Sequence, residues 1–268
     1  MDWKRFFDNL GMNGTRWQWR IMNWERRLKG GPGAPPLFGH GGPSLTGILI
    51  FANLALFTMM VIHGTILGLG LQAILNPPTQ LLVYWGAQYW PLVLGQGEWW
   101  RCLTYAFTHG GLIHLGFNMM VLYQVGPLLE AELGKPRFLF LYTLTALTAT
   151  GLGYLWHPAV PVVGASGSLF GLIGFSVIYY HRMGRAGEQV RNFMFQWALF
   201  AFIFGLLVGA DNAGHLGGAL GGAILGGVLP IGVRSRRIMD PLFKGLAALS
   251  LAAIVGSLLM LAASLLST

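Results

Sequence analysis

Apolar positions in this chain run together in blocks rather than recurring at a helix or strand period. A bilayer-crossing helix needs about 20 such residues. Seven blocks come near that length: 45–71, 112–129, 137–156, 166–181, 193–209, 214–231 and 243–265. The fourth and fifth are short, but charged or Pro/Gly-rich loops bound them. Each block is predicted as a transmembrane helix. Residues 73–111 join the first two blocks and include "LLVYWGAQYWPLVLGQGEWWRCLTYAF". Pro and Gly break this segment too often for it to span. Its aromatic residues predict partial immersion in the outer interface, with Trp and Tyr at headgroup level. A loop of that length is often functional. Residues 3–29 hold four Trp and seven Lys/Arg, which suits an interfacial amphipathic helix or a small cytosolic appendage. Residues 30–43, "GGPGAPPLFGHGGP", read as a linker. The chain then divides into an N-terminal segment 1–43, a six-helix core 44–232 and a basic loop with a seventh helix, 233–268.

Composition sharpens the class. Of 268 residues, 54% are hydrophobic and 10% charged, against about 25% charged in soluble domains. An all-α polytopic membrane protein is expected, with the lipid bilayer as its surroundings. The 40 glycines suit helices that approach closely in lipid. The net charge of +8 does not point to nucleic acid, because the basic residues lie in the gaps between apolar blocks rather than in one patch. Lys and Arg instead report orientation. With seven spans, 16 of the 17 fall on one side and only Arg101 on the other. The N-terminus is therefore expected in the cytoplasm and the C-terminus outside. The polar start does not resemble a signal peptide, so the first span is expected to do the targeting. Asp2, Asp8 and Glu25 argue against a mitochondrial address, leaving a bacterial-type inner (plasma) membrane. Cys102 is the single cysteine, which excludes an internal disulfide and a Cys–Cys metal pair.

Polar side chains within spans are costly and hence candidates for chemistry. His63 can face the interface, and His157 and His181 lie at span ends where water reaches them. Ser166, His215, His114 and Asn118 are more telling. Each falls near the outer end of its span, and they come from three different helices. His114 and Asn118, at i and i+4, project from one face. A serine hydroxyl needs a base within hydrogen-bond reach. His215, flanked by the small residues of "NAGHLGGALGG", is the histidine at matching depth in a later span. His114, Asn118 and the Ser166 backbone N–H are candidate donors to an oxyanion. No carboxylate is placed to orient His215; Asp211, one turn away, is a weak candidate. Phe170, four residues after Ser166, can stack on the imidazole instead. The expectation is a Ser–His dyad without metal or cofactor. Gly164 and Gly167 are read as leaving room beside Ser166 for a substrate backbone and for the sixth helix.

Together these residues resemble the rhomboid family of intramembrane serine proteases. Trp100-Arg101 looks like the family's W-R pair. "HGGLIHLGFN" carries its histidine and H-x-x-x-N, here His109, His114 and Asn118. "GASG" looks like G-x-S-G, and "GHLGGALGG" like the A-H-x-x-G-x-x-x-G helix, with Gly214 where Ala is usual. Gly126 and Glu130 also suit the family's pattern. The likeness covers about residues 45–231. It implies a six-helix catalytic core that hydrolyses peptide bonds in or near transmembrane segments of protein substrates. It implies Ser166 as nucleophile and His215 as base, with His114, Asn118 and the Ser166 amide at the oxyanion. Arg101 and the Trp pair are implied to brace the outer loop, and the seventh span is a 6+1 addition.

Other chemistries fit less well. No H-E-x-x-H is present for a metalloprotease, and no span centre holds an aspartate. The motif G-x-S-x-G of soluble serine hydrolases fails, because Ser168 follows Gly167. Two non-proteolytic readings remain: a rhomboid-like chaperone that binds membrane clients, which should lack Ser166 or His215, and a small transporter, which should show internal repeats.

Overall fold

In the computed structural model, residues 38–39, 42–207, 211–231 and 237–267 are described. The appendage expected over 3–29 and the linker up to residue 37 lie outside these residues. Among the described residues, seven long helices carry the fold. They are α1 (Leu45–Ile66), α6 (Leu112–Leu133), α7 (Lys135–Trp156), α8 (Ser166–Arg182), α9 (Glu188–Leu207), α10 (Asn212–Val228) and α11 (Asp240–Leu266). Four short helices lie between α1 and α6: α2 (Leu71–Leu75), α3 (Thr79–Tyr84), α4 (Trp90–Gly95) and α5 (Arg101–Thr104). A two-residue antiparallel ladder, Phe38–Gly39 with Gly42–Pro43, precedes α1. The chain is an all-α polytopic membrane protein. By length and hydropathy α1, α6, α7 and α11 are each able to cross a bilayer. α8 and α10, at 17 residues each, reach about 25 Å at the helical rise.

Local chemistry fixes where helices begin. Ser44 caps α1 by accepting the Gly47 N–H at 3.0 Å. The first-turn N–H groups of a helix have no intrahelical partner. Here Glu130 of α6 accepts those of Leu45 and Thr46, at 2.8 and 2.9 Å, and the Thr46 hydroxyl at 2.8 Å. The carboxylate also complements the helix dipole. Gly126, one turn before Glu130, permits this approach: a Cβ there would lie 2.7 Å from Thr46 Cγ2.

α8 is the central helix, packed against α6, α7, α9 and α10. Its contact with α10 is backbone against backbone. Side chains added at Gly218, Gly222 and Gly226 would collide with the carbonyls of Gly167, Gly171 and Phe175, and one at Gly174 with that of Ala219. The adjacent face of α10, Gly217 and Gly221, meets Thr148 of α7. In lipid, such approach lets dispersion between main chains hold helices together.

The segment between α1 and α6 folds back on the helices. Most of its aromatic rings turn into the protein rather than outward. Trp85, Trp90, Trp100 and Tyr105 are buried, whereas Trp99 is 60% exposed. The rings pack inward because they find partners there. Trp85 Nε1–H donates to His63 Nδ1 at 3.0 Å, and Trp90 lies 4.7 Å from the Tyr154 ring. His63 is thus engaged by the loop rather than simply facing the interface.

Candidate active site

Ser166 is the first residue of α8, and His215 lies in the first turn of α10. The glycine contact between the two helices brings Ser166 Oγ to 2.9 Å from His215 Nε2. Phe170, one turn below Ser166 on α8, stacks on the imidazole with centroids 4.2 Å apart and planes 18° apart. His215 is 5% exposed, and its Nδ1 has no hydrogen-bond partner among the described residues. Asp211 does not orient His215. It caps α10 by accepting the Gly214 N–H at 2.9 Å and pairs with His157 Nε2 at 2.8 Å. His157 is therefore tied to the start of α10 rather than merely solvated. Ser168 is fully buried and donates to Tyr142 O at 2.9 Å, so it faces α7, away from His215.

α6 supplies the next two groups. Asn118 donates one N–H to His114 O at 2.9 Å, and its amide group has a second to offer. The Gly110 N–H donates to His114 Nδ1 at 3.3 Å. That bond assigns the ring proton to Nε2, leaving Nε2–H as a donor. His109 is fully buried, accepts the Ala165 N–H at its Nε2 and faces Phe107 O with Nδ1, both at 3.4 Å. Burial, aided by His114 beside it, holds its pKa well below the usual imidazole range. A neutral His109 thus links the start of α6 to the residue before Ser166. Burial also pushes the Cys102 thiol up to about 11, which leaves it a thiol, not a thiolate nucleophile, at neutral pH.

The glycines beside the serine also have close neighbours that were not expected. At Gly164, with φ +117°, a Cβ would stand 2.7 Å from His114 Nε2 and Cε1. At Gly167 it would stand 2.6 Å from Ala149 Cβ on α7. Their missing side chains thus make room for the His114 ring and for α7. It is the Gly167 carbonyl that touches α10, at Gly218.

The rhomboid domain family model matches residues 96–232, half of the chain. The chain belongs to the rhomboid family. It is 30% identical over 216 residues to rhomboid protease GluP of Bacillus subtilis, covering 79% of this chain and 39% of that protein. It is 28% identical over 209 residues to rhomboid protease AarA of Providencia stuartii, covering 68% of this chain and 71% of that one. A third relative, rhomboid-like protease 1 of Toxoplasma gondii, is 33% identical over 151 residues, or 54% of this chain and 51% of that protein.

In this rhomboid chain the loop between α1 and α6 is organised around Arg101, which is 4% exposed. Its guanidinium donates to Val83 O at 2.6 Å and to Ala87 O at 3.0 Å, and pairs with Glu98. Its Cζ lies 4.4 Å from the centre of the buried Trp100 ring. Two residues absent from the sequence-based candidates also belong here. Tyr105 accepts the Gly164 N–H at 2.8 Å through its carbonyl and donates its hydroxyl to Ala146 O at 2.9 Å. Gln88 pairs with Val162 through both backbone groups, at 2.9 and 2.8 Å. No sequence signal marks Gln88. Tyr105 lies between Thr104 and Thr108, an i, i+4 pair whose hydroxyls anchor the loop.

Two cavities meet at the serine. A cleft of about 480 Å³ is lined by His114, Asn118, Phe170 and His215 and by Ala201 and Gly205 of α9. A second, with room for about one water, lies on the other side and is lined by Gln88, Tyr105, Thr150, Asp211 and His215. Among the described residues no group of three or more His, Cys, Asp or Glu could hold a metal ion.

Proposed function

We propose that this protein is an intramembrane serine endopeptidase that cleaves peptide bonds in or near transmembrane segments of other membrane proteins. The observation that carries this reading is the 2.9 Å approach of Ser166 Oγ to His215 Nε2 over the Phe170 ring. Kinship with proteins named rhomboid proteases supports it. In the proposed reaction His215 Nε2 takes the serine proton as Oγ attacks the scissile carbonyl. The negative charge that develops on the carbonyl oxygen faces His114 Nε2–H, the second Asn118 N–H and the Ser166 backbone N–H. His215 then passes its proton to the leaving amine. A water, deprotonated by His215 in turn, hydrolyses the acyl-enzyme and restores Ser166.

The wide cleft reaches α6 and α9 and is mostly apolar, apart from His114, Asn118, Ser166 and His215. It suits an unwound stretch of an apolar helix. The small cavity on the opposite side has a mixed lining that includes the polar residues Gln88, Tyr105, Thr150 and Asp211 and suits water. A two-sided site of this kind is what hydrolysis below a membrane surface needs. We further assign the protein to a bacterial-type inner membrane with a cytoplasmic N-terminus, on the asymmetry of Lys and Arg.

The test is cleavage of a membrane-spanning test substrate by purified protein. Cleavage is expected from wild type and from neither Ser166→Ala nor His215→Ala. Cleavage that persists in either variant overturns the dyad.

A further inference from the structure

α11 lies outside the helices that carry Ser166, His215, His114 and Asn118, and its two ends make different contacts. At its start, Arg137 of α7 donates to Asp240 at 2.7 Å and lies 4.9 Å from the centre of the Phe243 ring. At its end it meets the outer loop. Leu261 is 1% exposed, and its Cδ1 stands 3.3 Å from where a Cβ of Gly86 would be. The Tyr84 hydroxyl donates to Leu265 O at 3.2 Å.

The strip Val83–Gln88 that α11 touches has little freedom of its own. The Val83 and Ala87 carbonyls accept from Arg101, that of Trp85 from the Thr108 hydroxyl at 2.7 Å, and that of Gly86 from the Thr104 hydroxyl at 2.8 Å. The strip ends on Gln88, paired with Val162 four residues before Ser166. Two residues further on, the Gly164 N–H is held by Tyr105 O. The Leu261 side chain and the Tyr84 hydroxyl thus join the last turns of α11 to the strip, and main-chain bonds at Gln88–Val162 and Tyr105–Gly164 carry on to the start of α8.

We propose that α11 is a positioning element for the reaction. Leu261 and the Tyr84–Leu265 bond hold the strip, and the strip, through Gln88 and Val162, sets the position of Ser166 relative to His215. This rests on the Ser–His reading above. Leu261 fills space against a strip that carries a glycine where the two meet. Truncating it leaves a cavity into which the strip can relax. A misplacement of about 1 Å at a reacting group costs up to about 10²-fold in rate.

The test uses the full chain and measures three things: the rate at which a fluorophosphonate labels Ser166, kcat and KM on the membrane-spanning test substrate, and the thermal unfolding midpoint. Leu261→Ala should slow labelling and kcat together by about tenfold, with KM within about twofold of wild type, the pattern of a transition-state rather than a binding defect. Leu261→Met, close in volume, should restore both. Leu259→Ala, on the same helix but 65% exposed, should change neither. Wild-type labelling of folded Leu261→Ala, or a rise in KM alone, overturns the proposal. If Leu261→Ala does not fold, Tyr84→Phe decides, since it removes one hydroxyl: slowed labelling supports the proposal and wild-type labelling overturns it. If wild type itself is neither labelled nor active, the dyad fails and the proposal with it. If wild type is active and Leu261→Ala matches it, only the proposal fails.

Discussion

The imidazole of His215 lies almost parallel to the ring of Phe170, 4.2 Å from it. An aromatic face, rather than a carboxylate, orients the proposed base. Asp211 is spent on capping α10 and on His157. Phe170→Ala should therefore cost turnover, by about 10- to 10²-fold. Phe170→Tyr, which keeps the face, should cost about threefold or less. Steady-state kinetics on the test substrate separate the two, and equal losses would mean that stacking is not what orients the ring.

A serine-reactive fluorophosphonate should label Ser166 and leave Ser168 untouched. Ser168 donates to Tyr142 O and is fully buried. Peptide mapping of the labelled protein reads this directly, and label on Ser168 would move the nucleophile.

Asn118→Ala should lower kcat by about 10²-fold or less, with the fold intact. One donor among several is lost, and removing a single oxyanion donor typically costs about 10²- to 10³-fold. His114→Ala should cost at least as much, because it removes the Nε2–H donor and the ring that fills the space beside Gly164. An unchanged rate in Asn118→Ala would take that residue out of the mechanism.

Gly222→Ala should destabilise the protein by about 1–3 kcal/mol or prevent folding, since the new methyl would enter the Gly171 carbonyl. Gly256→Ala, on α11 with nothing within 4 Å, should be neutral or raise stability by up to about 1 kcal/mol. Thermal unfolding in detergent ranks them. Equal midpoints would mean that α8 and α10 can separate without cost.

Much of this architecture is legible in the sequence because the bilayer writes it there. Long apolar blocks mark helices, and polar atoms inside them stand out. The ends are less legible. α9 begins at Glu188, five residues before the expected 193, because hydropathy reports immersion in lipid and not the start of hydrogen bonding. Ser166, His215, His114 and Asn118 could be grouped because spacing places each at a comparable distance along its helix. Which surface each glycine serves could not be read. The absence of a Cβ is visible at Gly164, but its neighbour His114 depends on how the loop folds back. The same holds for the loop's tryptophans. Composition marks Trp85 as amphipathic, but not that its N–H is bonded to His63.

The glycines of α10 also act as a ruler. Gly218, Gly222 and Gly226 meet the carbonyls of Gly167, Gly171 and Phe175, a four-residue step on one helix matched by a four-residue step on the other. Shifting α10 by a single residue, about 1.5 Å, would bring Leu225 into the contact in one direction and Ala219 and Ala223 in the other. The axial offset between the two helices is thus fixed in discrete notches. His215 lies three residues before Gly218, and Ser166 is the residue before Gly167. Main-chain register thus places the two Cα atoms, and the rotamers of Ser166 and His215 then close the 2.9 Å between hydroxyl and imidazole.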